Sequence, residues 1–189
     1  MAWLRPTSLA LIALTGMAMA PLAKPILPEE SYVRYAAALG VAPGSDEKHE
    51  VGRLPQFFAD MHGWRELAAS VGEVYQALPA ADKPHAYVYA SNYGEAGAID
   101  YFRSSYGLPP VICDHNNYWL WGPGNWDGEV LIVIGGERSD LESLFSTVEE
   151  AAQFHCQDCQ PSENDQTLWV VRDMKIAPKG LWPRLKHYD

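Results

Sequence analysis

Val130-Leu-Ile-Val-Ile134 is an unbroken run of aliphatic side chains, and it limits the folds open to this chain more than any other stretch. Neighbouring side chains of a strand point to opposite faces, so a strand with no polar position must be covered on both. The run from Glu129 to Ile134 therefore predicts the centre of a sheet with other elements packed on each side. A chain of 189 residues, 48% of them hydrophobic, can supply those layers, and the composition excludes disordered and collagen-like proteins.

Before this run, Phe57, Met61, Trp64, Ala68, Val71, Tyr75 and Leu78 recur at alternating steps of four and three, which predicts one helix with a single buried stripe, stopped by Pro79. A shorter helix is expected from about Ser31 to Leu39, between the extended stretches Pro25 to Pro28 and Pro43 to Glu50. His85 to Ala90 reads as a strand, Ser91 to Gly97 as a tight turn into a helix carrying Ile99 and Phe102, and Val111 to Cys113 as a second strand. Ser139-Asp-Leu-Glu142 has the spacing of a capping box opening a helix through Leu144 and Phe145. Thr147 to Phe154 and Thr167 to Arg172 are further strands. The alternation predicts an α/β layered domain with a mostly parallel central sheet, preceded by one N-terminal apolar helix. The boundaries expected are residues 1–24 for that helix, 25–53 for a linker with a short helix, and 54–189 for the α/β domain.

Between Arg5 and Lys24 no residue is charged. Eighteen residues of helix reach about 27 Å, close to a bilayer core of about 30 Å. We read this run as a membrane anchor ending at Pro21 and Pro25; the alternative is a secretory signal ending at Ala18-Met19-Ala20. Arg5 on the near side favours an inner-membrane location with the soluble domain on the extracytoplasmic, periplasmic side. Fourteen basic against 24 acidic residues give a net charge of −10, the wrong sign for a phosphate-backbone binder, so no nucleic-acid partner is expected. Cys113, Cys156 and Cys159 allow one local bridge, across Cys156-Gln-Asp-Cys159, or free thiols. The chain lacks a second Cys-x-x-Cys, and we expect no metal and no cofactor.

In a parallel sheet, ligands sit beyond the carboxyl ends of the strands. Two turns there are rich in chemistry. Asn92-Tyr93-Gly94-Glu95 places glycine amides and a carboxylate at a helix start, where Glu95 disfavours a phosphate and a polyhydroxyl ligand fits better. His115-Asn116-Asn117-Tyr118, with Trp119, Trp121 and Trp126 after it, mixes amides and flat rings as sugar sites do. Asp100 follows one turn into the first helix, and Glu163-Asn164, before the last strand, could join the same rim. A plain structural role, in turns, helix dipoles and sheet capping, is the competing reading of every one of these residues. Glu95 and His115 could also form an acid–base pair if the turns adjoin.

Four segments in this order, Arg53-Leu-Pro-Gln-Phe-Phe-Ala-Asp-Met-His-Gly-Trp64, Ser91-Asn-Tyr-Gly-Glu-Ala-Gly-Ala-Ile-Asp-Tyr-Phe102, His115-Asn-Asn-Tyr-Trp-Leu-Trp-Gly-Pro123 and Leu181-Trp-Pro-Arg-Leu-Lys-His-Tyr188, resemble the soluble C-terminal domain of bacterial dolichyl-phosphate-mannose-protein mannosyltransferase-like membrane glycosyltransferases. The resemblance runs from about Pro25 to the end. It implies a membrane-tethered accessory domain of a polyprenyl-phosphate-sugar-dependent glycosyltransferase, with a glycan or polyprenyl-linked sugar as ligand and a membrane glycosyltransferase subunit as partner. In that family the catalytic carboxylate belongs to a multi-helix membrane region with no counterpart in this sequence, so no catalytic residue is assigned here. Two other functions stay open: a structural docking module for such a subunit, and a free-standing hydrolase using Glu95 and His115.

Overall fold

The computed structural model describes residues 3–45 and 50–188, and the chain divides into two compact units. Part of the linker expected from Pro43 to Glu50 lies outside the described residues.

The first unit comprises residues 1–61 and 158–162. Its helix α1, Leu4–Ala23, has 20 residues, none of them buried. At about 1.5 Å per residue it reaches about 30 Å, so it is long and apolar enough to be a membrane anchor or a signal sequence. Pro21 lies inside its last turn without ending it. Helix α2, Glu29–Ala38, starts two residues before the expected Ser31, because Pro28 is its N-cap and Glu29 and Glu30 fill its first turn, where carboxylates complement the helix dipole. Tyr32 and Ala36 of α2 pack with Leu54, Phe58 and Ala59 into a small core, the last two from the short helix α3, Gln56–Ala59.

The second unit comprises residues 62–157 and 163–189. Helix α4, Trp64–Ala77, buries Leu67, Ala68, Val71 and Val74. The expected single stripe from Phe57 to Leu78 is therefore two helices. Gly63 interrupts it with a φ of +80°, a left-handed conformation that ends regular helix, and Phe57 and Met61 are exposed.

Five strands follow: β1, Ala86–Ala90; β2, Val111–Cys113; β3, Val130–Ile134; β4, Phe145–Phe154; and β5, Gln166–Met174. The order across the sheet is β2-β1-β3-β5-β4. β1 runs parallel to β2 and β3, whereas β5 pairs antiparallel with β3 and with β4. The sheet is thus only partly parallel. β4 and β5 are joined by a loop too short to hold a crossover helix, which obliges an antiparallel pair. At the outer edge β4 exposes Glu149 and Glu150 and carries an irregularity between Glu150 and Ala152.

All five residues of β3 are buried, as the aliphatic run requires. Val130, Ile132 and Ile134 join the side chains of α4 and of α5, Tyr93–Tyr106, while Leu131 and Val133 join Trp126, Leu141, Phe145, Trp169 and Trp182 on the other face. Each such burial contributes about 1.5–3 kcal/mol before entropy is counted. Helix α7, Arg138–Leu144, opens at Glu137 and not at Ser139; it has no side-chain cap, so the capping box does not form.

Candidate functional site

β1 lies between β2 and β3 in the sheet, so the connection β1-α5-β2 leaves to one side and the step from β2 to β3 crosses to the other. Such a reversal leaves a crevice beyond the carboxyl ends of the two diverging strands. The groups at this edge come from the turn after β1, the turn after β2 and the C-terminal segment.

The turn after β1 is built around Asn92, whose Oδ1 caps α5 by accepting the Glu95 N–H at 2.9 Å. The Glu95 side chain turns back beneath this cap. Its Oε2 accepts from the Ser91 backbone N–H at 3.2 Å and from Ser91 Oγ at 3.4 Å, and the residue is 2% exposed. Burial pushes its carboxyl up to about 7, against the opposing hydrogen bonds from Ser91. Glu95 is therefore a closing group of the turn, and its carboxylate is taken up by Ser91. Gly94 is needed for packing: a Cβ there would stand 3.0 Å from the Trp64 ring and 3.1 Å from Asn92 Oδ1.

The turn after β2 carries two further buried polar groups. Asp114 accepts a 2.9 Å hydrogen bond from the Tyr89 hydroxyl and faces His187 Nδ1 at 3.5 Å. Burial holds the Asp114 carboxyl above its usual range, partly offset by Tyr89 and His187, and holds the Tyr89 phenol above its own. His115 is 6% exposed; its ring stacks on His187 at 4.6 Å and meets Tyr93 at 5.1 Å, and Asn116 Nδ2 donates to its Nε2 at 3.0 Å. The C-terminal segment adds a short parallel bridge, in which Asn116 N–H donates to His187 O at 3.1 Å. Cys113, buried at the end of β2, has its thiol pushed up to about 12 by burial.

The two turns expected to converge thus do meet, through Tyr93 and His115. Tyr118 joins them by donating to Asp100 Oδ2 at 3.0 Å, which ties the short helix α6, Tyr118–Trp121, to α5. Burial and the Asp100 carboxylate push the Tyr118 phenol up to about 12. Tyr93, Asn117, Leu120 and Trp121 are exposed around this cluster. Among the tryptophans of the loop, Trp126 is buried and Trp119 exchanges hydrogen bonds with the Trp182 backbone and ring, so both belong to the core. Asn164 does not share the cluster's hydrogen bonds; its side chain binds Cys156 N–H and Asp165 inside its own loop, beside Glu163. That loop precedes β5, whose start is two places along the sheet from β1.

Two participants escape sequence reading. Tyr89 follows the strand alternation as a sheet-face aromatic, with nothing to mark its hydroxyl as a buried donor. His187 lies in the closing Leu181 to Tyr188 segment, where its only signal is membership of that segment. At the opposite, amino-terminal edge of the sheet, the half-buried His85 has its Nδ1 2.7 Å from Oδ2 of the exposed Asp127 and 3.1 Å from Oε2 of the exposed Glu129, a group compact enough to surround a cation. The hydrogen bond it donates to Asp127 raises the His85 imidazole above its ordinary value. Cys156 and Cys159 are disulfide-bonded and Cys113 is not, so the local bridge that the sequence allowed is present.

No family model, no curated protein and no solved structure matches this chain.

Proposed function

We propose that this chain is a membrane-tethered, extracytoplasmic accessory domain of a polyprenyl-phosphate-sugar-dependent glycosyltransferase, and that it binds a glycan or lipid-linked sugar at the carboxyl edge of its sheet. The observation that carries the reading is the half-exposed Tyr93 ring set against His115, where two separate turns join. A flat ring beside fixed amides is how a protein covers the apolar face of a sugar while reading its hydroxyls. Asn116, Asn117 and the Asp100–Tyr118 pair supply the polar groups, and Trp121 a second exposed ring. Helix α1 supplies the tether, and the four sequence segments supply the transferase context. The test is a titration of mono- and oligosaccharides, with and without a polyprenyl phosphate carrier, against the full chain in nanodiscs. Saturable binding weakened at least tenfold by Tyr93→Ala supports the reading; no change in fluorescence or melting at millimolar sugar overturns it.

A second reading has its own support. Glu95, Asp114 and His115 are buried at the joined turns, while Leu120 and Trp121 are 65% and 68% exposed. A module that docks on a membrane transferase subunit needs only that apolar surface. Replacing Leu120 and Trp121 together by Ser then abolishes co-purification with the subunit and leaves sugar titrations flat.

A further inference from the structure

The second face of the sheet holds a cavity of about 280 Å³. Its walls are Ile112, Trp126, Val133, Leu141, Leu144 and Trp182, with further apolar residues from the segment after β5, and no Lys, Arg or His lines it. At its margin stand Ser91, which follows β1, and Gly136 and Glu137, which follow β3, with Asp140 from the first turn of α7. These four are exposed whereas the walls are mostly buried, and we take this polar margin, which follows β1 and β3, as the mouth. An apolar cavity of about 150 Å³ stays dry and accepts benzene; on that scale this one has room for roughly eleven carbons.

We propose that this cavity is a binding site for a single hydrocarbon chain of about ten carbons whose head is uncharged and hydroxyl-bearing. The walls offer a chain no hydrogen-bonding partner to lose on entry, and its transfer from water is favourable for every methylene buried. The mouth selects the head. Ser91 Oγ, which already donates to Glu95, can accept from a hydroxyl, as can the carboxylates of Glu137 and Asp140, whereas a phosphate or carboxylate head would meet two like charges with no cation among the lining residues. The site is separate from the ring surface at Tyr93 and does not rest on the sugar reading, although a glycolipid could use both.

The experiment uses the intrinsic fluorescence of Trp126 and Trp182 in the full chain, reconstituted in nanodiscs, with 10-bromodecanol as quencher and its phosphate ester as the charged counterpart. Expected are saturable quenching by the alcohol, affinity at least tenfold lower for the phosphate ester, and a loss of at least tenfold when Val133→Phe or Leu144→Phe fills the cavity. Val133 is buried and Leu144 half-buried, so the second variant keeps the test valid if the first fails to fold. Quenching that rises linearly with probe and is equal in both filled variants reports partition into lipid and overturns the proposal. Phosphate-ester binding as tight as the alcohol's overturns the assignment of the head. Maltose, which has no chain, tests the sugar surface alone, and its failure leaves the cavity result standing.

Discussion

The hydroxyl of Tyr89, on the strand between β2 and β3, donates a 2.9 Å hydrogen bond to the Asp114 carboxylate in the turn after β2. This bond joins the sheet to the polar cluster, since Asp114 faces His187 and His187 stacks on His115. Asp114 is 3% exposed. Tyr89→Phe leaves a buried carboxylate short of its neutral donor, at an expected cost of about 1–3 kcal/mol. Urea denaturation followed by fluorescence measures it. A change below a few tenths of a kcal/mol would mean that water replaces the hydroxyl at no loss.

Glu95 gives the folded chain a pH dependence of defined sign. Its folded value of about 7 lies above the ordinary 4.5, so between these values the folded state holds a proton that the unfolded state has released. The contribution is fully present below pH 4.5 and is lost as pH rises through 7. The difference corresponds to about 3 kcal/mol. Asp114, also raised by burial, acts in the same direction at lower pH. Glu95→Gln should flatten the slope between pH 5 and 7 in denaturation curves; an unaltered slope assigns the titration elsewhere.

The effect of truncating a large apolar side chain should divide by depth. Ile132 is wholly buried on the central strand, opposite Val88 and Val170, and Ile132→Ala should cost about 2–5 kcal/mol. Trp121, at 68% exposure, should change stability by no more than about 0.5 kcal/mol when replaced by Ala, while weakening saccharide binding. Parallel denaturation and titration of the two variants separates scaffold from surface. Equal losses of stability would contradict the layer assignment.

Gly128 has a φ of +92°, and a Cβ there would lie 3.3 Å from both Met174 Cβ and Pro178 Cγ. These are atoms close to the backbone and cannot swing away. Gly128→Ala should therefore cost at least about 1–2 kcal/mol from its left-handed conformation alone. It should also loosen the turn that holds Asp127 against His85. A lowered melting temperature together with a lower titration midpoint for His85 by nuclear magnetic resonance would register both effects.

The sheet was legible wherever one residue type dominated a whole element. β3 announces itself because every side chain is aliphatic, and β2 and β5 lie within a few residues of their expected spans. The antiparallel half was not legible, because strand direction is set by the length of a connection and by pairing partners, neither of which leaves a periodic trace. The stripe from Phe57 to Leu78 misled for a local reason: helical spacing survives across Gly63 although the backbone does not. At the site, residue types identified which turns meet but not which way their side chains point. Glu95 has the composition of a ligand-reading carboxylate and the position of a turn closure, and only the path of its side chain back to Ser91 distinguishes them.

The open side of β4 bears on how this domain meets a second copy of itself. Two such ten-residue strands, Phe145–Phe154, laid side by side about a twofold axis in full register would bring Glu149 of each directly opposite Glu150 of the other. Facing carboxylates oppose that zippering. A high local concentration of this domain would then not join two of its sheets edge to edge through β4.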